Sequence, residues 1–185
     1  MEEKNIECKE IEKFKTNVWL TRKARINASE RLIKASKFVR FLNVYYSCFL
    51  IILSLIDMSS DKMDLNILSL CLSITLSLSL FFIDSQQFME RANLLKNNYI
   101  EMQRILFHLS NKNFEDMKDL YLELLGECEN HTNHDFYKVK FEADGSFGEK
   151  LINFFKYLFF YRLWIFLVRS LLIFVPLIVS IIWVF

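Results

Sequence analysis

Hydrophobic and polar positions in this chain separate into long blocks. Three blocks are almost free of charge. Residues 41–56, FLNVYYSCFLIILSLI, are bounded by Arg40 and Asp57. Residues 65–83 are uncharged and end at Asp84. Residues 163–185, LWIFLVRSLLIFVPLIVSIIWVF, carry one charge, Arg169. A helix needs about 20 predominantly apolar residues to cross a bilayer core. The second and third blocks meet that length directly. The first meets it when Phe38 and Val39 join it and Arg40 snorkels to the headgroups. Three such blocks in 185 residues leave too little polar surface to cover them in a soluble domain.

Within the second block, LSLCLSITLSLSLFFID at 68–84, apolar and small polar residues alternate as in a half-wet strand. A lone strand cannot cross a bilayer with its backbone unpaired, whereas a helix can. Wound as a helix, Asn66, Ser69, Ser73, Ser77 and Asp84 share one sector, and Cys71, Thr75 and Ser79 lie roughly opposite. Small residues at a spacing of four let helices approach closely and hydrogen-bond across an interface. In an oligomer, the first sector would instead line a water path, which makes its five residues pore-lining candidates. Both readings stay open at this point.

The remaining segments carry the period of amphipathic helices. Ile11, Phe14 and Val18 form an apolar stripe on the N-terminal arm, and Ala24, Ala28 and Ala35 permit close packing. This arm reads as one long helix, or two, flowing into the first span. After Asp84, Phe88, Ala92, Leu95, Tyr99, Met102 and Leu106 predict a helix continuing out of the membrane. Residues 110–113 break it, and Phe114, Met117, Tyr121 and Leu124 resume the pattern. These helices are expected to pack on the arm as a bundle. Residues 141–150, with two glycines, predict a loop, and the aromatic- and cation-rich stretch 151–161 predicts an interfacial segment. The fold class is therefore an all-α membrane protein: a transmembrane hairpin, a third C-terminal transmembrane helix and a cytoplasmic helical bundle. Its parts are a basic arm (1–40), the hairpin (41–83), cytoplasmic helices and a loop (84–150), and an interfacial segment with the last span (151–185).

Composition supports helices: one proline and three glycines in the chain leave little turn chemistry. Charge sets the orientation. Residues 1–40 hold eleven basic against six acidic side chains, and residues 84–150 hold eight against thirteen. The loop between the first two blocks is net acidic, with three Asp and one Lys. The positive-inside rule then places the N-terminus in the cytoplasm. The basic residues are interleaved with acids and carry no nucleic-acid-binding motif, so the expected surface partner is the bilayer. The first fifteen residues are charged throughout, where a secretory signal needs an apolar core.

Candidate chemistry is sparse. Cys8, Cys48, Cys71 and Cys128 are scattered and form no CxxC, so reduced thiols are expected. Cys128, His131 and His134 are spaced by three with Asp135 adjacent, but one cysteine and no second ligand pair make a capping or interface role the better reading than zinc. No cofactor or metal is expected. No GxSxG, P-loop or GxGxxG is present, so an enzyme is not expected. Arg169, the intramembrane charge, either snorkels to the cytoplasmic headgroups, or pairs with Asp84 or lines a cavity.

The stretch TRKARINASERLIKASKF at 21–38 precedes the hairpin with Ala24, Arg25, Ala28, Arg31 and Leu32 in an Ala-Arg-x-x-Ala-x-x-Arg-Leu pattern. In this it resembles the SLATT family, membrane effectors associated with SMODS nucleotidyltransferases and SLOG sensor domains. Glu129-Asn130-His131, followed by Asp135-Phe136-Tyr137, and the RSLLIFVPLIV of the last span look similar to the reverse-transcriptase-associated subfamily. The resemblance runs from about Thr21 to the end. It implies a bacterial antiphage conflict system in which a separate sensor, such as a reverse transcriptase or nucleotidyltransferase system, triggers a homo-oligomer that permeabilises the inner membrane and stops the cell. Arg25, Arg31, Glu129, Asn130 and His131 would couple the trigger to the membrane. A non-conducting anchor or adaptor for a sensor is the alternative. The family's usual core has two spans, and this chain has a third apolar block.

Overall fold

A computed structural model describes residues 2–57, 63–84, 86–110, 113–142, 148, 151–152, 155, 159 and 162–184. Six helices cover most of them: α1 (Glu2–Asp57), α2 (Met63–Asp84), α3 (Phe88–His108), α4 (Phe114–Gly126), α5 (Asn133–Glu142) and α6 (Leu163–Val184). No strand occurs among the described residues. The period-two alternation of the second block is thus wound into α2, as the bilayer argument requires. Residues 58–62, most of the 141–150 loop and most of the 151–161 segment lie outside the described residues.

The arm and the first apolar block form one unbroken helix, α1. A second expectation needs correction: the helix leaving the second block does not continue into the next. Gln87 has a φ of 46°, in the left-handed region that a right-handed helix cannot include. α3 starts afresh at Phe88. The break expected at 110–113 is present, and Asn113 organises it. Its Oδ1 accepts from the Ser110 amide at 2.8 Å, and its Nδ2 donates to the His108 carbonyl at 2.9 Å.

The helices divide into two compact units. The first holds residues 1–33 and 89–163, the second 34–88 and 164–185. In the first unit α1 contributes Ile11, Phe14, Val18, Ala24, Arg25, Ala28 and Leu32, all buried. Apart from Ala24, which flanks the stripe, their spacing alternates three and four once Thr21 is counted, which is the seam of helices packed at a shallow angle. Against it α3 buries Ala92, Leu95, Asn98, Met102 and Ile105. Helix α4 adds Leu124, with Met117 and Tyr121 packed alongside. Phe14 meets the rings of Phe114 and Tyr121 edge-on, both at 5.5 Å between centroids. The Tyr121 and Thr21 hydroxyls are hydrogen-bonded at 2.9 Å.

The second unit has an inverted surface. Leu42, Phe49 and Leu53 of α1 are buried. Val44, Ile51 and Leu55 on the same helix, Leu78 and Phe81 on α2, and Trp164 and Phe166 on α6 are exposed. The helix Cys8–Leu55 is long and apolar enough to cross a membrane, and only 11% of its apolar window is buried, unlike a soluble core helix. Ser69–Phe81 and Leu163–Ile178 are shorter apolar helical stretches. Phe38, Phe41, Tyr45 and Phe49 stack in sequence along α1, at 6.2–6.5 Å between centroids.

Candidate functional site

The residues that carried the family pattern converge on one seam of the first unit. Ala24 and Ala28 are fully buried and bring α1 close to its neighbours, so that the buried Ser29 hydroxyl donates to the Ala92 carbonyl at 2.9 Å. Leu32 closes the seam. Two arginines on α1 then make two polar nodes.

The first node surrounds Arg25, whose side chain is fully buried. Its Nη1 donates to the Asn98 Oδ1 and, at 2.8 Å, to the Leu124 carbonyl. Its Nη2 donates to the Leu125 carbonyl at 3.2 Å. Asn98 donates in turn to the Leu124 carbonyl at 2.7 Å and to Glu127 Oε2 at 3.1 Å. The last carbonyls of α4 have no helical amide to accept from, and they carry the negative end of its dipole. A guanidinium supplies a fork of donors and the opposite charge in one group. Arg25 therefore caps α4 from α1.

The second node surrounds Asp135, also fully buried. Arg31 grips it with both branches, Nε to Oδ1 and Nη2 to Oδ2, each at 3.1 Å. Asp135 Oδ2 also accepts from the amide of Thr132 at 3.0 Å and from its hydroxyl at 2.7 Å. This is the reciprocal half of a capping box, with Asp in place of the usual Glu. Asn27, one turn before Arg31, donates to the Asp135 carbonyl at 3.1 Å and accepts from Lys138 at 3.0 Å. Helix α5 is thus pinned to α1 by its first turn. Burial alone would raise the Asp135 carboxyl. The His134 ring 3.6 Å away, hydrogen bonds from Arg31 and Thr132, and the charge of Arg31 outweigh it and hold the group well below the usual carboxylate range.

The segment between α4 and α5 carries the other family-matched residues. Glu129 is partly exposed and pairs with Arg91 of α3 at 2.5 Å. The Asn130 side chain accepts from the His131 amide at 3.0 Å. The His131 ring lies 5.6 Å from that of Phe136. Burial and the Arg25 charge lower its pKa against an opposing pull from Asp135. Burial, with Glu127 and Glu129 nearby, raises the Cys128 thiol despite Arg25. A thiol pushed up and an imidazole pushed down are shifted opposite to the members of an activated nucleophile pair. Cys128 and His131 precede α5 and His134 lies within it, so the three do not share a helix. Among the described residues no group of three or more His, Cys, Asp or Glu side chains is placed to hold a metal.

The pore candidates lie apart from these nodes, on α2. Ser73 and Ser77 donate to carbonyls of their own helix, Leu70 at 2.8 Å and Ser73 at 2.9 Å. On the opposite stripe Thr75 and Ser79 do the same. Ser69 is partly buried. The side chains of Asn66 and Asp84 lie outside the described residues. Arg169, on α6, sits with its guanidinium carbon 4.6 Å from the Phe38 ring centroid, a cation–π contact.

Sequence reasoning missed Asn27 and Asn98. Asn98 was passed over for Tyr99 because an apolar residue was sought at each step. A strict count from Leu95 by three and then four reaches Asn98 and Met102, which the structure buries. Continuing the arm's stripe from Val18 likewise lands on Arg25 and Leu32.

A protein-family model described as "SMODS and SLOG-associating 2TM effector domain family 5" matches residues 7–182. No curated protein and no solved structure matches the chain.

Proposed function

The chain belongs to the SMODS and SLOG-associating 2TM effector domain family, and from that premise we propose that it oligomerises in the bacterial inner membrane and permeabilises it when a separate sensor acts on it. Membership by itself implies a membrane effector of conflict systems, in a family that is not an enzyme class. The observation that carries the proposal is the family match over 7–182, which spans the polar nodes and the apolar helices alike.

In this reading Arg25 and Arg31 sit on the same unbroken helix that supplies the first span. With Glu129, Asn130 and His131 they are the coupling residues. The cytoplasmic helices hold the assembly closed, and a partner that binds the open arrangement better shifts the equilibrium. A shift from 1:99 to 99:1 requires about 5.5 kcal/mol of differential binding. The basic arm keeps the N-terminus in the cytoplasm. A reverse transcriptase or nucleotidyltransferase system supplies the trigger, and no direct nucleic-acid contact is involved. One hairpin cannot enclose a channel, so several copies contribute the sector of Asn66, Ser69, Ser73, Ser77 and Asp84. Hydroxyls that donate to their own helix keep lone pairs for water.

Membrane potential and dye entry, measured in bacteria expressing the chain alone and with its neighbouring genes, test this. Depolarisation under triggering conditions, abolished by Ser73→Leu with Ser77→Leu in an inserted protein, is the expected result. Depolarisation that survives both substitutions removes the serines from the pore. An intact membrane with the protein inserted and the trigger present overturns permeabilisation. The reading left is then a non-conducting anchor or adaptor for the sensor.

A further inference from the structure

Pro176 lies inside α6 and is buried. Proline has no amide hydrogen, so the carbonyl four residues earlier, that of Leu172, receives no helical hydrogen bond, and the ring pushes against it. The opened turn also weakens the bond to the next carbonyl, that of Ile173. In hydrocarbon no water is available to satisfy either group. The structure places a donor on each. The Tyr46 hydroxyl donates to the Leu172 carbonyl at 2.6 Å, and the Tyr45 hydroxyl donates to the Ile173 carbonyl at 2.9 Å. Two adjacent tyrosines on α1 thus meet the two carbonyls that one proline on α6 disturbs.

A third contact sets the direction. Arg169 lies over Phe38, a turn or more before the tyrosines on each helix. Progress along α6 from 169 to 173 accompanies progress along α1 from 38 to 46, so the two helices run parallel in this unit. Helix α6 has 22 residues, about 33 Å of rise, which matches a hydrocarbon core of about 30 Å.

We propose that α6 is a third transmembrane helix parallel to the α1 span, and that Tyr45 and Tyr46 are the positioning residues that fasten it there by capping the carbonyls released by Pro176. The membrane unit of this chain is then three helices, one more than its family description names. The proposal does not depend on whether the assembly conducts.

Two measurements on the full chain test it. The first is a thermal-unfolding cycle in lipid nanodiscs with Tyr45→Phe and Tyr46→Phe together, Pro176→Ala, and all three. Phe keeps the ring and removes only the hydroxyl. The tyrosine pair variant is expected to lower Tm by about 2–4 °C per hydroxyl. With Pro176→Ala the amide returns, and the same loss is expected to fall below half. An equal loss in both backgrounds, or none in either, overturns the capping role. The second is a topology reporter fused after Phe185, compared with one at the N-terminus. Reporters on opposite faces of the membrane are expected. Reporters on the same face overturn the third span.

Discussion

The two units differ in the polar side chains they carry inward: among the described residues, the buried charged and amide side chains, Arg25, Asn98 and Asp135, all belong to the first. In the first, polar side chains penetrate the seam and pair with one another: Arg25 with Asn98, Asn98 with Glu127, and Arg31 with Asp135. In the second, the polar groups are chiefly hydroxyls that turn to backbone, as Thr16 and Thr21 also do in the first. Ser47, Ser54, Ser73, Thr75, Ser77 and Ser79 each donate to a carbonyl three or four residues earlier on their own helix. Tyr45 and Tyr46 donate to carbonyls of α6. The solvent explains the difference. A charge buried beside water is affordable when a fork of partners receives it, and it then dictates which helices meet. In a bilayer the cheapest polar group is one that returns its donor to the nearest carbonyl. The first unit gains specificity from its polar groups, and the second neutralises them.

The largest test of this contrast is Arg25→Met. It removes the cap on α4, leaves the Leu125 carbonyl without that donor and the Leu124 carbonyl with Asn98 alone, and strips the Asn98 oxygen of its charged donor. The expected loss is about 2–4 kcal/mol, the scale for leaving more than one buried acceptor without its charged donor. Thermal unfolding of the full chain in nanodiscs, with proteolysis of the first unit as a second readout, measures it. Arg25→Lys keeps the charge and loses the fork, so it is expected to recover less than half. A loss under about 1 kcal/mol for Arg25→Met would show that the seam is held by its apolar residues alone.

Much of this architecture was legible in the sequence, because long uncharged blocks and helical spacing are strong signals. The helix of α2 was readable through its misleading alternation, since hydrocarbon forbids the lone strand. The break at Gln87 was not, because a positive φ at a glutamine has no local composition signal. Arg25, Arg31 and Asp135 stood out by family pattern, but nothing in the sequence joined Arg31 to Asp135 or Arg25 to Asn98. Asn98 and Asp135 are polar residues on buried seam positions, and periodicity counts that seek only apolar residues pass over them. Strict spacing reaches Asn98, but the partners of Asn27 and Asn98 emerge only when the helices are assembled, since they lie 108 and 26 residues away.

Acidification separates His131 from the Asp135 node by pH. The folded His131 pKa is lowered, so the native state binds fewer protons than the unfolded state between its folded pKa and about 6.5. Its contribution is complete above about pH 6.5 and is lost as pH falls through that window. The Asp135 carboxyl is also lowered, so its contribution is complete above about pH 4 and is lost further into acid. Unfolding followed from pH 8 to 3 is expected to weaken in two stages. His131→Asn removes the first stage, and Asp135→Asn removes the second. At neutral pH Asp135→Asn also loosens α5 from Arg31, by about 2 kcal/mol. A single stage insensitive to either substitution would mean that neither group titrates with unfolding.

The smallest effect is expected where a charged pair faces water. Arg91 and Glu129 join α3 to the segment before α5, but both side chains are about a third exposed. A pair in that position contributes about 0.2–1 kcal/mol, and salt screens it. Glu129→Gln is therefore expected to leave unfolding nearly unchanged, with the remaining difference vanishing in high salt. Its value lies in the comparison with Arg25→Met. Glu129 is one of the proposed coupling residues, and it is the one whose removal costs the fold least. If triggering falls with Glu129→Gln while stability holds, the segment transmits a signal apart from holding the bundle. If triggering and stability are both unchanged, coupling rests on the buried arginines, and the exposed pair only tethers the segment to α3.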